Sequence, residues 1–247
     1  MLRYSLIILT LTTTMSLKKC DASKDSFTLN IPEKGFEVVQ QVPENQKGRD
    51  QNALYLPPRR LLKEEFNSPQ LDQFIDSMYT VMVKKAGVGI AANQLGKRLQ
   101  IFIIEAKDDN PRYTVLGPVQ KQVFINPIIT KVSATKKNFW HGCLSATDKE
   151  RGNVATYEWI EYQCQNQKGE LQRGRLDGFG AVIFQHEFRH LMGGTYLDIA
   201  QQFIPKAELD QKIASGELPF FAIASDTLPS LINGYTIGET LDEYHSK

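Results

Sequence analysis

The stretch FQHEFRHLMGG, residues 184–194, carries His186, Glu187 and His190 in the order H-E-x-x-H and ends on Gly193-Gly194. On a helix, positions four apart lie about 40° apart around the axis and one turn along it, so both imidazoles can reach one ion. Glu187 stands about 100° from His186, placed to exchange a proton with water on that ion. Only four histidines occur in the chain, and two of them fall at this spacing with a glutamate between them. That favours a metal site over a buried helix with stray histidines. Asp177 is positioned to cap the helix, and the glycine pair stops it near Met192.

Working outward, the elements around this helix are mostly strands. LQIFIIE (99–105) has the length and branching of a buried strand, and QVFINPIIT (122–130) reads as another that bends at Pro127 or lies at an edge. ATYEWIEYQCQNQKGELQRGR (155–175) reads as a hairpin turning at Gln167-Lys168-Gly169, with a bulge near 159–160. Farther upstream, Ser68 and Pro69 open a helix whose apolar face is Leu71, Phe74, Ile75, Met78 and Met82, with Gly87 as its stop. Pro205 to Gly216 resembles a short helix. Strands grouped ahead of a helix that packs on them make the chain α+β, with mixed or antiparallel strands around a central metal-binding helix.

The 247 residues suffice for one sizeable core, and 41% hydrophobic with 23% charged residues is ordinary for a globular protein. A net charge of +1 without a long basic run gives no reason to expect direct nucleic-acid binding. Three cysteines, Cys20, Cys143 and Cys164, do not form a disulfide framework, and Cys164 follows Ile160 and Tyr162 as core filler. Residues 1–20 hold an apolar run from Leu6 to about Leu17 between Arg3 and Lys18-Lys19. This is short for a spanning helix and lacks a small-x-small cleavage site, so two readings stand: a signal or anchor segment, which would export the protein or tie it to a membrane, or an ordinary N-terminus on a cytoplasmic one. Residues 21–50 form a polar lead-in with at most one short strand, in FEVVQQV.

A working site needs a third ligand. The metzincin position, six residues after the second histidine, is Tyr196, which excludes that class. Two candidates remain. Glu208 in PKAELDQK would complete a gluzincin-like protease, and Cys143 in HGCLSA would supply a thiolate, leaving a fourth position for water. A third segment, GVGIAANQLG (87–96), matches no phosphate-binding pattern but offers the Gln94 amide as a donor to a developing oxyanion.

GVGIAANQ, GCLS and QHExxHL, in this order and spacing, resemble the three signature motifs of peptide deformylases. The similarity runs from about Ala53 to Asp198; ALYLPPRRLLKEEF resembles the family's opening strand and turn, and FINPIIT the strand before its cysteine motif. The resemblance implies a deformylase-like domain over 51–200, followed by a C-terminal extension, 201–247. It implies an enzyme that removes the formyl group from formyl-methionyl peptides or nascent chains with one divalent ion, Fe²⁺ first and Zn²⁺, Ni²⁺ or Co²⁺ as substitutes. By position, Cys143, His186 and His190 bind the ion and Glu187 is general base, then general acid. The Gln94 amide and the Leu144 N–H polarise the formyl carbonyl, Gly89 and Ile90 hold the peptide as an added strand, and Arg151 contacts substrate.

Two positions depart from the family pattern. His141 stands where an acid precedes Gly-Cys, and the arginine that pairs with that acid falls at about Thr156. Arg189 stands where an acid precedes the second metal histidine. Losing both members of an ion pair leaves no unpaired buried charge. A cation beside the ligands, by contrast, opposes the support that carboxylates give to ligating imidazoles. The alternatives to a deformylase are therefore the gluzincin-like protease and a non-catalytic homologue that binds formyl peptides or metal.

Overall fold

The computed structural model describes residues 31–109, 116–146, 149–219, 222–223 and 228–247. The apolar segment within residues 1–20, with Cys20, lies outside them. Among the described residues no helix is long and apolar enough to cross a membrane.

A five-stranded antiparallel sheet has the order β1-β2-β3-β6-β7: β1 (Gly89–Ala91), β2 (Ile101–Ala106), β3 (Val119–Val132), β6 (Trp159–Gln165) and β7 (Leu171–Asp177). Residues 101–104 are apolar without a break because β2 is covered on both faces. Ile101 and Ile103 pack toward α1 (Pro69–Lys84), while Phe102, Ile104 and Ala106 pack toward α2 (Gly178–Leu191). Stacked and edge-on rings of Phe102, Phe124, Tyr162, Phe184 and Phe188 fill the space between sheet and α2. Cys164 belongs to the same core.

Helix α1 forms as its sequence dictates. The Ser68 hydroxyl accepts from Leu71 N–H, Pro69 occupies the first turn, and the five predicted face residues are buried. The left-handed residue that ends it is Ala86 (φ 52°) rather than Gly87.

A second, four-stranded antiparallel sheet has the order β8-β5-β4-β9: β4 (Lys136–His141), β5 (Glu150–Tyr157), β8 (Gln202–Pro205) and β9 (Ala222–Ile223). Strand β4 has only Phe139 and His141 buried, too little alternation for its polar sequence to announce it. The expected bulge near 159–160 is the point where the chain leaves this sheet at Tyr157 and enters the first at Trp159. The Gln185 amide of α2 bonds both backbone groups of Tyr157 at 2.9 Å, tying the helix to that crossing.

Several local expectations are corrected. Of the two readings of the Pro127 strand, the edge position is the one overturned: β3 is central, and the irregularity at Pro127 is a bulge at Asn126 (φ 51°), whose side chain bonds Leu61 and Gln165. ALYLPPRRLL makes only an isolated bridge, Arg59 to Leu99, because Pro57 and Pro58 have no N–H to donate. FEVVQQV forms no strand. Asp177 occupies the N-cap of α2, but its carboxylate pairs with Arg175 at 2.7 Å instead of capping. The short helix after Pro205 is α3 (Lys206–Ala214). Beyond it, Ile232, Tyr235 and Leu241 join the α2 core, and α4 (Leu241–His245) ends the chain.

Candidate metal and active site

Three separate segments converge on α2. Of its 14 residues, 11 are buried, so the helix is wedged between the sheets with its polar groups facing inward. One face of its second half carries His186 and His190 toward the turn after β4, where Cys143 lies. Ligand atoms of Cys143, His186 and His190 all lie within 4.8 Å of one another, with Cys143 Sγ 3.2 Å from His190 Nε2. This is the one cluster of three or more potential metal ligands among the described residues. Glu208 is elsewhere, on α3, with an exposed carboxylate turned toward Lys212. The third member of the cluster is therefore the Cys143 thiol, and Glu208 does not reach the two histidines as a gluzincin arrangement would require.

The donor set fits a divalent ion. His190 Nδ1 lies 3.1 Å from Gly194 O, so it carries the proton donated there and Nε2 keeps its lone pair for the cluster. Asn93 Nδ2 holds the His190 backbone carbonyl at 2.6 Å. Burial, followed by the charge of Glu187, pushes the Cys143 thiol up to about 12, and burial pushes His186 down to about 4. His190 is held well below the usual histidine range by burial, then by His186. Two neutral imidazoles and a desolvated thiol, gathered this closely, form a set that a cation stabilises by replacing the thiol proton.

Glu187 is buried at 3% exposure, its Oε2 has no hydrogen-bond partner, and burial raises its pKa well above the carboxylate range. It lies directly over Gly89: a Cβ there would meet Glu187 Oε1 at 2.3 Å. Gln94 sits in the 3-10 turn after β1. Its Oε1 accepts from Ala91 N–H at 2.8 Å, which directs Nε2 toward Ser145 Oγ (3.1 Å) and Cys143 Sγ (3.5 Å). Leu144 follows Cys143 in the same turn, and among the described residues its N–H has no hydrogen-bond partner.

A small, mostly apolar cavity of about 50 Å³ opens beside the cluster, lined by Gly89, Gln94, Cys143, Leu144, His186 and Glu187 and floored by Phe139, Phe179, Val182 and Ile183. Gly89 reaches it from β1, an edge strand; Ile90 points into the core beneath α1. Arg151 is buried on β5 and packs against Gly142, outside the cavity lining; a Cβ at Gly142 would meet its Nε at 2.7 Å.

The two departures have physical settings. His141 ends β4, buried at 2% exposure, with Nδ1 3.1 Å from His186 Nδ1. Strand register sets Gly152 opposite His141 and Lys137 opposite Thr156, and Thr156 Oγ1 bonds Lys137 O at 3.3 Å. Arg189 lies against Gly194, and its buried Nε has no hydrogen-bond partner. Burial lowers its pKa, opposed by the charge of Asp198, which is itself paired with Arg49 at 2.8 Å.

Sequence reasoning missed Ser145, Gly194 and the lead-in as parts of this site. Gly194 signalled only a helix stop. Yet Val39 N–H bonds Gln94 O and Gln41 N–H bonds Ser145 O, both at 2.7 Å, while Gln40 Nε2 bonds Leu144 O at 3.2 Å. The lead-in thus straps together two of the three motif segments.

Residues 56–204 match the polypeptide deformylase family profile. Peptide deformylase 2 of Bordetella bronchiseptica is 35% identical over 133 residues, 54% of this chain and 74% of that protein. Peptide deformylase 2 of Pseudomonas putida is 37% identical over 136 residues, 55% of this chain and 75% of that one. Among solved structures, a class I type b peptide deformylase from Acinetobacter baumannii with Met-Ala-Ser bound superimposes with a TM-score of 0.60. It is 30% identical, and the match covers 66% of this chain and 96% of that one.

Proposed function

The chain belongs to the polypeptide deformylase family, and we infer from this that it is a metal-dependent hydrolase removing the N-formyl group from nascent peptides. The observation that carries the reading to this chain's own residues is the convergence of Cys143, His186 and His190 beside a buried glutamate.

Cys143, His186 and His190 would hold the ion. A divalent ion bound there supplies a Lewis acid and lowers the pKa of a coordinated water toward neutrality. Nitrogen and sulfur donors in this ratio suit Fe²⁺, Zn²⁺, Ni²⁺ and Co²⁺, and Fe²⁺ is proposed as the native ion. Glu187 in its carboxylate form takes a proton from the attacking water at a carboxylate oxygen. It then delivers that proton to the amine nitrogen as the formyl C–N bond breaks, so formate and a free α-amine leave. Its desolvated setting favours the proton, which suits a group that must hold it between the two steps. The Gln94 Nε2–H, aimed by Ala91 N–H, donates to the carbonyl oxygen, and the Leu144 N–H, without a partner among the described residues, does the same.

The substrate peptide would pair along the open edge of β1 at Gly89 and Ile90, extending the sheet. Its methionine side chain would enter the cavity floored by Phe139, Phe179, Val182 and Ile183. Arg151 would serve binding by holding the Gly142 backbone. The partners proposed are formylated peptides and nascent chains.

The test is formate release from formyl-Met-Ala-Ser by the full chain, loaded with Fe²⁺ without air. Activity that vanishes in Glu187→Ala supports the reading. In parallel, Cys143→Ala should abolish metal binding while Glu208→Ala leaves it intact. Metal bound through Cys143 with no formate released would replace the enzyme with a non-catalytic homologue.

A further inference from the structure

His190 and His186 are oriented by different means. The His190 ring is fixed by a backbone carbonyl, Gly194 O, which can only accept. The His186 ring meets another imidazole: His141 Nδ1, 3.1 Å from His186 Nδ1. The two rings are nearly parallel, at 21° with centroids 5.3 Å apart, and Phe139 packs edge-on against His141 from the same strand. His141 is only 2% exposed, and its Nε2 is buried without a partner.

One proton joins two facing ring nitrogens, and it can belong to either. If it belongs to His141, then neutral His186 carries its own proton on Nε2 and has no lone pair there for a cation. If it belongs to His186, the Nε2 lone pair is free. His141 Nδ1 is then the acceptor, and the His141 proton sits on Nε2, an atom buried without a partner. That atom lacks a partner in either arrangement, as acceptor or as donor, so a cation bound through His186 decides between them.

We propose that His141 is a positioning residue that holds His186 in its Nδ1–H tautomer as a neutral imidazole acceptor. A bound cation selects this arrangement of the pair. The inference rests on the metal site described above but not on the reaction it serves. It also accounts for the departure at this position: the acceptor a carboxylate would provide is kept, the negative charge is not, and no cation is needed at Thr156 to balance it.

The test uses the full chain labelled with ¹⁵N-histidine and loaded with Zn²⁺. Two-bond ¹⁵N–¹H correlation should show His186 protonated at Nδ1, with His141 unprotonated at Nδ1 and protonated at Nε2. A His141 protonated at Nδ1 in the loaded protein would overturn the proposal. Zn²⁺ affinity, measured by chelator competition, should weaken about 10–100-fold in His141→Phe. It should recover most of that loss in His141→Asn, whose Oδ1 occupies nearly the position of Nδ1 and accepts the same proton. Phe binding as tightly as wild type, or Asn as weakly as Phe, would reduce His141 to packing. Should the Phe variant fail to fold, the tautomers and the Asn variant still decide. Neither readout uses turnover, so a loaded chain with the expected tautomers and no formate release removes the activity while supporting the positioning role.

Discussion

Replacing Gly89 with alanine places one methyl group against the proposed general base. The Cβ would lie 2.3 Å from Glu187 Oε1, 2.7 Å from Cδ and 2.8 Å from Cγ, whereas ordinary contact begins at 3.4 Å. The carboxylate must therefore withdraw by about 1 Å, or the edge strand must move by as much. Gly89 has no positive φ, so the effect is steric rather than a matter of backbone strain. A flexible side-chain end can yield, which puts the stability cost near the low end of the about 1–3 kcal/mol typical of overpacking. For a chain of this size that is a fall in Tm of about 2–4 °C. Catalysis tolerates far less, since a misplacement of about 1 Å costs on the order of 100-fold in rate. Formate release and thermal unfolding, measured on the same preparation, should thus diverge: kcat down about 100-fold with a small change in Tm. Gly87→Ala is the control, because its Cβ presses only on the movable end of Leu144 at 2.9 Å, with Met82 at ordinary contact distance, 3.4 Å. Wild-type kcat in Gly89→Ala would show that Glu187 is not held in this place and would refute the assignment of Gly89 as the floor beneath it.

Three further outcomes are expected. Burial raises the folded-state pKa of Glu187, so the stability its protonated form provides is complete below the unfolded value of about 4.3 and is lost as pH rises through the raised one. In chelator-treated protein, Glu187→Gln should therefore gain Tm over wild type as pH rises across that window, and a constant difference would argue against the desolvated carboxyl. Arg189→Met removes a buried cation that lowers the basicity of His190. Zn²⁺ affinity should rise by up to about tenfold, as for weak outer contacts to a ligand, and an unchanged affinity would show that Asp198 already neutralises the guanidinium. Deleting residues through Val42 removes three hydrogen bonds to the Gln94 and Leu144–Ser145 segments. If about one bond's net worth of orientation is lost, kcat falls roughly tenfold, and an unaltered kcat would make the strap dispensable.

Sequence alone determined the elements whose signals are local. The one-turn, four-residue spacing of His186 and His190, the buried amphipathic face of α1 behind Ser68-Pro69, and the β6–β7 hairpin all follow from backbone periodicity and turn chemistry. The ordered motifs also identified Cys143, although a lone cysteine has no local signal that separates a ligand from core filler such as Cys164. Tertiary structure alone decided which of Cys143 and Glu208 reaches the histidines, because ligation depends on where β4 and α3 dock and not on their separation along the chain. It also decided the strand character of polar β4, the central place of β3 despite Pro127, and the capture of Gln94 and Ser145 by residues 39–41. Strand partners, backbone acceptors and bulges are settled by long-range pairing, and a carbonyl such as Gly194 O leaves no mark in the side-chain sequence at all. For the same reason His141 reads in the sequence as the loss of an acid. Only its 3.1 Å approach to His186 makes it an acceptor that takes the acid's place.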